Sequence, residues 1–469
     1  MNDLVLMPAT RQLELLRSGE LSVVELAEAH IAQIERLNPQ LNVLADFDRE
    51  RVRAKARELD AQREPRGALH GLPVSVKSSI AVAGYRCEIG SLLHKGEIPS
   101  EDAVVIARLR AAGALILGTT NCPEFLMAYE TDNLLHGRTR NPWNLECTPG
   151  GSSGGEAAAI AAGLSAAGLG SDSGGSVRVP AHFTGICSLK PTPGRIPGRG
   201  HLPPCVGPFS ILGVIGPMAR TMEDVAQLFR ALAGQDPADP VSPPLAPATP
   251  SLDELRRLPI AVFEDDGLAP VTQETRLAVR ATAEALRAAG FRVEPFRPTH
   301  LEPLRKLWRT FFVQCGAMFY EPEIRGRRDR LSPIFREFLS IAAAAGPLSA
   351  AELLNAWAAL DLVRSRALEE MRSYPIWLSP VASIPAFRHG ERQWKIDGET
   401  VDYLDAFRQT QWLNALAAPA AVVPVGRSTA GLPIGVQISG RPFMDESVLA
   451  VASVVDDAFG YQPPPMAMN

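Results

Sequence analysis

Three segments of the sequence carry residue types that can attack a carbonyl group and stabilise the charge that develops on it. In the first, Lys77 ends the apolar run that begins at Leu72. Side chains alternate along a strand, so a strand here would place Ser75 and Lys77 on one face and the valines on the other. A lone strand lysine is more often solvated. A buried lysine instead has a lowered pKa and can act as a base near neutral pH.

The second segment is the glycine- and serine-rich stretch Pro149-Gly-Gly-Ser-Ser-Gly-Gly155, which runs directly into an alanine-rich stretch. It could be a flexible linker. A glycine-rich turn at a helix N-terminus, however, presents backbone N–H groups and the positive end of the helix dipole. The Gly-Lys-Ser/Thr ending of a nucleotide-binding P-loop is missing, so nucleotide binding is disfavoured. Ser153 fits a Gly-x-Ser-x-Gly nucleophile elbow, but Cys147-Thr-Pro-Gly150 cannot form the strand that must precede it.

The third segment is Gly170-Ser-Asp-Ser-Gly-Gly-Ser-Val-Arg178. Its Asp-Ser-Gly-Gly portion matches the nucleophile loop of trypsin-like serine proteases and would make Ser173 the nucleophile. That interpretation needs an upstream histidine and an all-β fold, which the helical patterns of the chain contradict. Consecutive small residues at 173–176 can still direct several N–H groups at one point, as an oxyanion hole requires. A purely structural glycine turn is the alternative.

The elements that must position these segments are alternating strands and helices. Apolar runs predict strands at 72–77 and 114–118, and Ser100 can cap a helix over 101–112 between them. The same patterns predict a helix at 156–163, a strand–helix–strand unit at 260–263, 273–289 and 291–296, and strands at 420–425 and 434–438. The alternation predicts an α/β fold in which helices cover both faces of a sheet.

Composition disfavours several classes of protein. The 469 residues include 47 Lys and Arg and 52 Asp and Glu, which gives a net charge of −5. No lysine-rich run offers a surface for nucleic acid or anionic lipid. The six cysteines form no Cys-x-x-Cys pair and the eight histidines are scattered, so a metal site has little support. With no basic, apolar N-terminal segment, the sequence predicts a cytoplasmic protein without a membrane partner.

Taken together, the three segments resemble the central block of the amidase signature family, and the resemblance covers most of the chain. No usable match is found in residues 236–372. The matching segments are Gly71-Leu-Pro-Val-Ser-Val-Lys77, Thr120-Asn-Cys-Pro-Glu124, Arg140-Asn-Pro-Trp143, Thr148-Pro-Gly-Gly-Ser-Ser-Gly-Gly155, Asp172-Ser-Gly-Gly-Ser-Val-Arg-Val-Pro180, Gly185-Ile-Cys-Ser-Leu-Lys-Pro-Thr192, Gly431-Leu-Pro-Ile-Gly-Val-Gln437 and Gly440-Arg-Pro442.

The resemblance implies the amidase signature fold, an α/β architecture with a large, mixed, twisted sheet covered by helices on both faces. It also implies a single domain over residues 1–469. Within that domain we expect N-terminal helices in 1–65, a core with the catalytic motifs in 66–235, a variable and largely helical excursion in 236–372, and the C-terminal part of the core in 373–469.

The resemblance also implies roles for individual residues. Ser176 matches the family's nucleophile, Ser152 matches the bridging serine that follows a cis peptide bond, and Lys77 matches the terminal base. The N–H groups that match the oxyanion hole are those of Ser173, Gly174, Gly175 and Ser176. The residues that match supporting positions of the loops are Ser153, Asp172 and Arg178. The residues expected to border the substrate pocket are Leu126, Met127 and Tyr129, although the first two fit a plain apolar core equally well.

The implied chemistry depends on an uncharged lysine. A serine hydroxyl is a poor nucleophile until a base removes its proton. An ammonium group cannot accept a proton, so Lys77 must be neutral in the resting enzyme, and burial favours that state. Ser152 would then relay the proton from Ser176 to Lys77 in an acyl-enzyme cycle of amide hydrolysis. That cycle requires no metal and no cofactor.

Three functions are compared. The preferred one is a stand-alone amidase that cleaves non-peptide amides, with esters and carbamates (urethanes) as further small-molecule substrates, acting as a monomer or homodimer without nucleic acid. Aromatic residues in the helical segment 302–373 favour an aryl or aliphatic substrate. The alternative is a glutamine-hydrolysing subunit of a tRNA-dependent amidotransferase, which needs partner subunits. A binding protein on a retired enzyme scaffold is disfavoured, because all three catalytic positions are intact.

Overall fold

A mixed sheet of eleven strands is the centre of the described part of the chain, residues 2–62 and 67–468 of a computed structural model. The strands of the described residues, of which all but β10 and β11 belong to this sheet, are β1 (Leu44–Phe47), β2 (Pro73–Lys77), β3 (Leu115–Thr120), β4 (Ala167–Asp172), β5 (Cys187–Lys190), β6 (Val214–Ala219), β7 (Pro259–Val262), β8 (Arg292–Pro295), β9 (Ile376–Pro380), β10 (Gln393–Ile396), β11 (Glu399–Asp402), β12 (Ala420–Arg427) and β13 (Pro433–Gly440). Their order across the sheet is β1-β3-β2-β4-β6-β5-β12-β13-β9-β7-β8, and β10 and β11 form a separate hairpin. β2 pairs in parallel with both β3 and β4, whereas β4 and β6 are antiparallel.

Helices pack on both faces of this sheet. They are α1 (Asn2–Leu6), α2 (Ala9–Ser18), α3 (Val23–Leu41), α4 (Arg49–Asp60), α5 (Val104–Ala111), α6 (Gly154–Ala161), α7 (Arg178–Thr184), α8 (Pro208–Leu212), α9 (Met222–Leu232), α10 (Leu252–Arg256), α11 (Gln273–Ala288), α12 (Leu301–Trp308), α13 (Cys315–Ile324), α14 (Pro333–Ala344), α15 (Ala350–Ser373), α16 (Arg408–Leu416), α17 (Asp445–Phe459) and α18 (Pro465–Met468). In β9, Leu378 packs in one apolar core with Val448 of α17, and its neighbour Trp377 packs in another core with Trp412 of α16. The predicted α/β fold with a covered sheet is confirmed.

The alanine-rich helix α6 is buried along its whole length. Alanine is the strongest helix former, and its small side chain lets the helix approach the sheet closely. Glu156 is the one charged residue of this helix and is fully buried in its first turn. A buried carboxyl group inside an otherwise apolar helix requires partners, and it lies next to the candidate active site.

One predicted helix boundary is wrong. The helix expected to start at Glu101 under a Ser100 cap begins instead at Val104, with Ala103 as an N-cap that makes no side-chain hydrogen bond. The preceding residue, Asp102, is bound elsewhere, because its carboxylate accepts hydrogen bonds from the N–H of Ala83 at 2.8 Å and from Arg110 Nε at 2.8 Å. These contacts fix the segment before α5 outside the helix. The other predicted strands and helices occur within one to three residues of their expected ends.

All four predicted parts of the chain contribute strands to the sheet, and residues 1–65, expected to form helices, also contribute β1. Residues 66–235 contribute β2 to β6, residues 236–372 contribute β7 and β8, and residues 373–469 contribute β9, β12 and β13. The expected boundary between residues 65 and 66 lies outside the described residues. No helix in the described part of the chain combines the length and the apolar composition that a membrane span requires.

Candidate active site

Lys77 ends β2 in the interior of the sheet, and its side chain is completely buried. Its Nζ donates to Ser152 Oγ at 2.7 Å and to Ser171 Oγ at 3.0 Å. Burial lowers the pKa of the Lys77 ammonium group to about 8, because desolvation disfavours the charged form. The solvated-lysine interpretation is therefore wrong, and Lys77 can be neutral at mildly alkaline pH.

The glycine- and serine-rich loop before α6 places Ser152 beside Lys77. The peptide bond between Gly151 and Ser152 is cis, which confirms the expectation from the resemblance. A side chain at Gly151 would come within 2.6 Å of the Ala128 carbonyl oxygen, so only glycine allows this close approach of two backbone segments. Ser152 and Ser153 are buried. The flexible-linker interpretation is therefore wrong.

Asp172 organises the loop that carries Ser176, between β4 and α7. Its carboxylate accepts the N–H of Gly175 at 2.8 Å and of Val177 at 3.2 Å. Arg178 donates to both carboxylate oxygens, Nε to Oδ2 and Nη2 to Oδ1, each at 3.0 Å. Burial alone would raise the pKa of the Asp172 carboxyl group, but the Arg178 guanidinium holds it well below its usual value. A fully buried ion pair thus fixes the loop.

The backbone N–H groups of this loop divide into two sets. The N–H of Gly175, which the resemblance assigns to the oxyanion hole, already donates to Asp172 and is not free to bind an oxyanion. In residues 67–468, no hydrogen bond uses the N–H of Ser173, Gly174 or Ser176 as a donor. These three groups remain available to an incoming acceptor, whereas the fourth expected member of the hole is structural.

Residues far along the chain hold the carbonyl groups of the same loop. Trp308 Nε1 donates to the Ser173 carbonyl at 2.8 Å. The hydroxyl groups of Tyr129 and Thr410 donate to the Gly174 carbonyl at 2.8 Å and 2.7 Å. Because the carbonyl oxygens are bound on this side, the N–H groups of the loop are held in a fixed direction.

Ser153 joins the two loops. Its N–H donates to the Ser176 carbonyl at 3.1 Å, and its Oγ contacts the N–H and the carbonyl of Ser171, each at 3.3 Å. Ser152 and Ser176 line one cavity. The hydrogen bonds of the described residues do not include one between the hydroxyls of Ser152 and Ser176. Among the described residues, the predicted proton relay therefore has its contact between Lys77 and Ser152 but lacks the one between Ser152 and Ser176. Ser176 is 9% exposed.

The cavity above Ser176 is narrow, and most of its exposed lining is apolar. It is lined by Phe125, Leu126, Met127, Ser152, Ser171, Ser173, Ser176, His201, Pro203, Cys205, Phe209, Phe312 and Tyr320. Burial lowers the pKa of His201 to about 4, so this ring is neutral. No Asp, Glu, Lys or Arg occurs in this set of described residues.

Leu126 and Met127 line the cavity, and their expected contact with substrate stays a prediction. Tyr129 does not line the cavity, which corrects its expected place in the substrate pocket. Its ring stacks on Phe407 with the centroids 4.1 Å apart, and its hydroxyl is bound to the Gly174 carbonyl. Tyr129 therefore supports the nucleophile loop rather than contacting the cavity.

The family resemblance assigns no role to two residues of the site. Ser171 is the second partner of Lys77 Nζ. Glu156 accepts hydrogen bonds from Ser75 Oγ and, at 2.8 Å, from Thr120 Oγ1. A sequence signal for Glu156 exists, because it is a single acidic residue in an alanine-rich helix. Nothing in the sequence distinguishes Ser171 from its neighbours.

His94 contacts α13, the helix that contributes Tyr320 to the lining of the cavity. Tyr320 of α13 packs on Phe125 with ring centroids 4.8 Å apart. His94 Nε2 lies 2.6 Å from Glu323 Oε1 of the same helix, and its Nδ1 lies 2.7 Å from Glu97 Oε2. The hydrogen bond to Glu323, with that to Glu97, raises the pKa of His94 to about 9. His94 is therefore charged at neutral pH and bridges two carboxylates.

Replacing His94 by glutamine should destabilise the protein in a pH-dependent way. A raised histidine pKa contributes stability that is complete below its ordinary value of 6.5 and is lost as pH rises through about 9. We expect a loss of about 1–2 kcal/mol in the free energy of unfolding at pH 6, discounted because the pair is partly exposed. At pH 10 the variant and the wild type should agree, and urea unfolding at both pH values is the measurement. An equal loss at both would show that the charge of His94 has no part in it.

Metal binding finds no support in the side chains themselves. Within the described ranges, no group of three or more His, Cys, Asp and Glu residues is arranged to hold a metal ion. The polar side chains that line the cavity are serine and tyrosine hydroxyls, the Cys205 thiol and the neutral His201 ring, with free backbone N–H groups beside them. These groups suit proton transfer and the binding of an oxyanion.

Comparison with known proteins agrees with this fold. A family model described as Amidase matches residues 25–449, which is most of the chain. The chain therefore belongs to the amidase signature family, and its α/β fold is that of the solved members of the family. Enzymes of this family hydrolyse carbon–nitrogen bonds.

The relatives differ in what their names describe. The chain is 36% identical over 468 residues to a glutamyl-tRNA(Gln) amidotransferase subunit from Roseiflexus sp. (strain RS-1), covering 93% of each protein. It is 32% identical over 459 residues to an indoleacetamide hydrolase from Bradyrhizobium diazoefficiens, covering 95% of this chain and 85% of the relative. The solved structure of a bacterial aryl acylamidase has a TM-score of 0.85 and 26% identity, with 98% of each chain covered.

Proposed function

We propose that the protein is a stand-alone amidase that hydrolyses uncharged, apolar amides through an acyl-enzyme on Ser176. The main support for the proposal is the completely buried Lys77, whose Nζ lies 2.7 Å from Ser152 Oγ. Ser152 and Ser176 line the same cavity. A base of lowered pKa within reach of a hydroxyl group is the arrangement that activates a serine nucleophile.

The proposed cycle begins when Ser176 Oγ attacks the amide carbon. Its proton passes to Ser152 as the proton of Ser152 passes to neutral Lys77. The missing contact between the two hydroxyls forms when substrate binds, since catalytic hydrogen bonds are often long in the empty enzyme. The N–H groups of Ser173, Gly174 and Ser176 bind the oxyanion, each worth about 3–4 kcal/mol in comparable sites.

The second half of the cycle returns the protons. Lys77 gives its proton back through Ser152 to the leaving nitrogen, and the carbon–nitrogen bond breaks. A water molecule then attacks the acyl group on Ser176 and loses a proton along the same relay. The carboxylic acid leaves and Ser176 regains its proton. Esters and carbamates offer the same acyl carbon and oxygen, so the proposal includes them as further substrates.

The substrate preference follows from the lining of the cavity. Phe209, Phe312 and Tyr320 offer aromatic surface, and the described lining contains no charged side chain. Free glutamine carries an ammonium and a carboxylate group, and burying either without a partner is costly. The names of two relatives, an indoleacetamide hydrolase and an aryl acylamidase, describe aromatic amides and support an apolar substrate.

A second candidate function is the glutamine-hydrolysing component of a tRNA-dependent amidotransferase. The observation that favours it is the 36% identity to a glutamyl-tRNA(Gln) amidotransferase subunit over nearly the whole chain. In that case, partner subunits would have to supply or rearrange the groups that bind the charged ends of glutamine.

A substrate panel separates the two functions. The purified protein by itself is assayed with aryl anilides, primary aryl amides, esters, carbamates and glutamine, and glutamine is tested again with the partner subunits of a bacterial amidotransferase. We expect turnover of apolar amides by the isolated protein and no glutaminase activity under either condition. Glutamine hydrolysis that appears only with the partner subunits, without turnover of apolar amides, would reverse the assignment.

A further inference from the structure

Each free N–H group of the nucleophile loop, residues 173–177, shares a peptide unit with the carbonyl group of the residue before it. The peptide bonds of this loop are trans, so the C=O and the N–H of one unit point in opposite directions. A group that binds the Ser173 carbonyl oxygen therefore sets the direction of the Gly174 N–H. Every contact to a carbonyl of the loop can be assigned in this way to the N–H group that it directs.

Two of the three units with a free N–H are held by a long contact or by the backbone. In the unit that carries the Ser173 N–H, the carbonyl oxygen accepts Asn414 Nδ2 at 3.4 Å. In the unit that carries the Ser176 N–H, the carbonyl oxygen accepts the backbone N–H of Val179 in α7 at 2.7 Å. Neither unit has a short hydrogen bond from a side chain among the described residues.

The third unit, which carries the Gly174 N–H, is held by Trp308. Its Nε1 donates to the carbonyl oxygen of this unit at 2.8 Å. Tyr129 and Thr410 bind the next carbonyl along the loop, and the N–H of that unit belongs to Gly175 and already donates to Asp172. Within the described residues, Trp308 is therefore the side chain with a short hydrogen bond to a unit whose N–H is free.

The indole ring of Trp308 is fixed in place. It is completely buried and does not belong to the lining of the cavity. It stacks on Phe312 with ring centroids 4.7 Å apart and 13° between the planes. Phe312 lies in a π-helical turn, Arg309–Gln314, that follows α12, and such turns are frequent at functional sites. A Cβ atom at Gly174 would come within 2.6 Å of the indole, so the ring lies directly against the unit that it holds.

We propose that Trp308 is a positioning residue that directs the Gly174 N–H towards the oxyanion and strengthens it as a donor. A hydrogen bond to the C=O of a peptide unit polarises the N–H of the same unit. Trp308 lies in residues 236–372, the segment without a family match, so this segment contributes to the oxyanion hole without supplying a catalytic residue. The effect on rate rests on the proposed amidase function, whereas the orientation of the peptide unit does not.

The Trp308→Phe variant removes the Nε1 donor and keeps an aromatic ring against Phe312. The fold should persist, because Arg305 of α12 also donates to Gln411 of α16 at 3.1 Å. We expect kcat for an aryl anilide to fall about 10- to 100-fold with KM unchanged, less than the roughly 10²- to 10³-fold loss when one oxyanion donor is removed completely. An aryl trifluoromethyl ketone forms an adduct with Ser176 that places an oxyanion in the hole. Its Ki should rise by the factor by which kcat/KM falls.

A merely structural role would give a different result, because a smaller fraction of folded enzyme lowers kcat and leaves Ki unchanged. Tyr129→Phe is the matched control, since it removes a hydrogen bond from the neighbouring carbonyl, whose unit carries the structural N–H, and should cost less than Trp308→Phe. Trp357→Phe, on α15, replaces a ring that packs on Phe311 and should match the wild type. Equal losses in Tyr129→Phe and Trp308→Phe, or an unchanged Ki in Trp308→Phe, would overturn the proposal.

NMR observes the peptide unit without any substrate. Labelling with carbonyl-¹³C serine and ¹⁵N glycine selects the four Ser–Gly pairs of the sequence, at 18–19, 153–154, 173–174 and 439–440. Ser173→Ala identifies the 173–174 signal by its loss. In Trp308→Phe this signal should shift, and those of 18–19 and 439–440 should stay. An unshifted 173–174 signal would count against the role of Trp308 alone, and a shifted signal in a protein without amide turnover would count against the amidase function alone.

Discussion

The Ser176→Ala variant is expected to lose roughly 10⁴- to 10⁶-fold in kcat for amide hydrolysis, the loss seen when a serine nucleophile is removed from a preorganised site. The remaining activity would come from the free N–H groups of the loop, which do not need the hydroxyl. Folding should be unaffected, because the loop is held by the Asp172–Arg178 ion pair and by Trp308. Steady-state kinetics on an aryl anilide and urea unfolding measure the two effects.

A fluorophosphonate probe identifies the nucleophile independently of turnover. Peptide mapping of the labelled wild type should place the phosphonyl group on Ser176, and Ser176→Ala should not react. Ser173→Ala is the matched control, because it removes the neighbouring hydroxyl and keeps the backbone N–H, so the label should stay on Ser176. A label on Ser173 would instead support the protease-like interpretation of the Asp-Ser-Gly-Gly segment.

The Lys77→Met variant should lose roughly 10²- to 10⁴-fold in kcat at neutral pH, the range that general-base catalysis contributes. Methionine has a similar length and no charge, so it fills the buried space without leaving an unpaired ion. In the wild type the base is active only when neutral. Activity should therefore fall as pH decreases below about 8, and this pH dependence should disappear in the variant.

The control for Lys77→Met is its reaction with the fluorophosphonate probe and its unfolding curve. An intact fold with slow labelling indicates that the site is present and the base is missing. Retention of full amide turnover at neutral pH by this variant would show that the relay through Ser152 is wrong.

The parts of this structure that sequence reasoning predicts are those encoded by local patterns. The strand of Lys77, the alanine-rich helix after the second segment and the alternation of strands and helices all follow from residues close together in the chain. The family resemblance points to Ser152 and Lys77, whose side chains are 2.7 Å apart in space and separated by 75 positions in the chain. Ser152 lies in the loop before α6, and its proximity to Lys77 depends on the packing of α6 against β2, which local sequence patterns do not predict.

The parts that could not be predicted depend on contacts between distant segments. Trp308 and Thr410 hold the carbonyl groups of the nucleophile loop from positions more than 130 residues away. The direction of the Gly175 N–H is decided by the Asp172 carboxylate, which removes it from the expected oxyanion hole. The sequence predicts only that Glu156 begins a helix. The tertiary structure places its carboxyl group against the hydroxyls of Ser75 and Thr120, which lie next to Lys77 on β2 and β3.

The most direct test of the central claim is the titration of Lys77 itself. In protein labelled with ¹⁵N-lysine, the Nζ resonance of residue 77 is identified by its absence in Lys77→Met and followed against pH by NMR. The buried, hydroxyl-bound position predicts that this nitrogen loses its proton with a midpoint no higher than about 8. A midpoint at the ordinary value of 10.5 would contradict the account, because the amine could not then accept a proton from Ser152 at neutral pH.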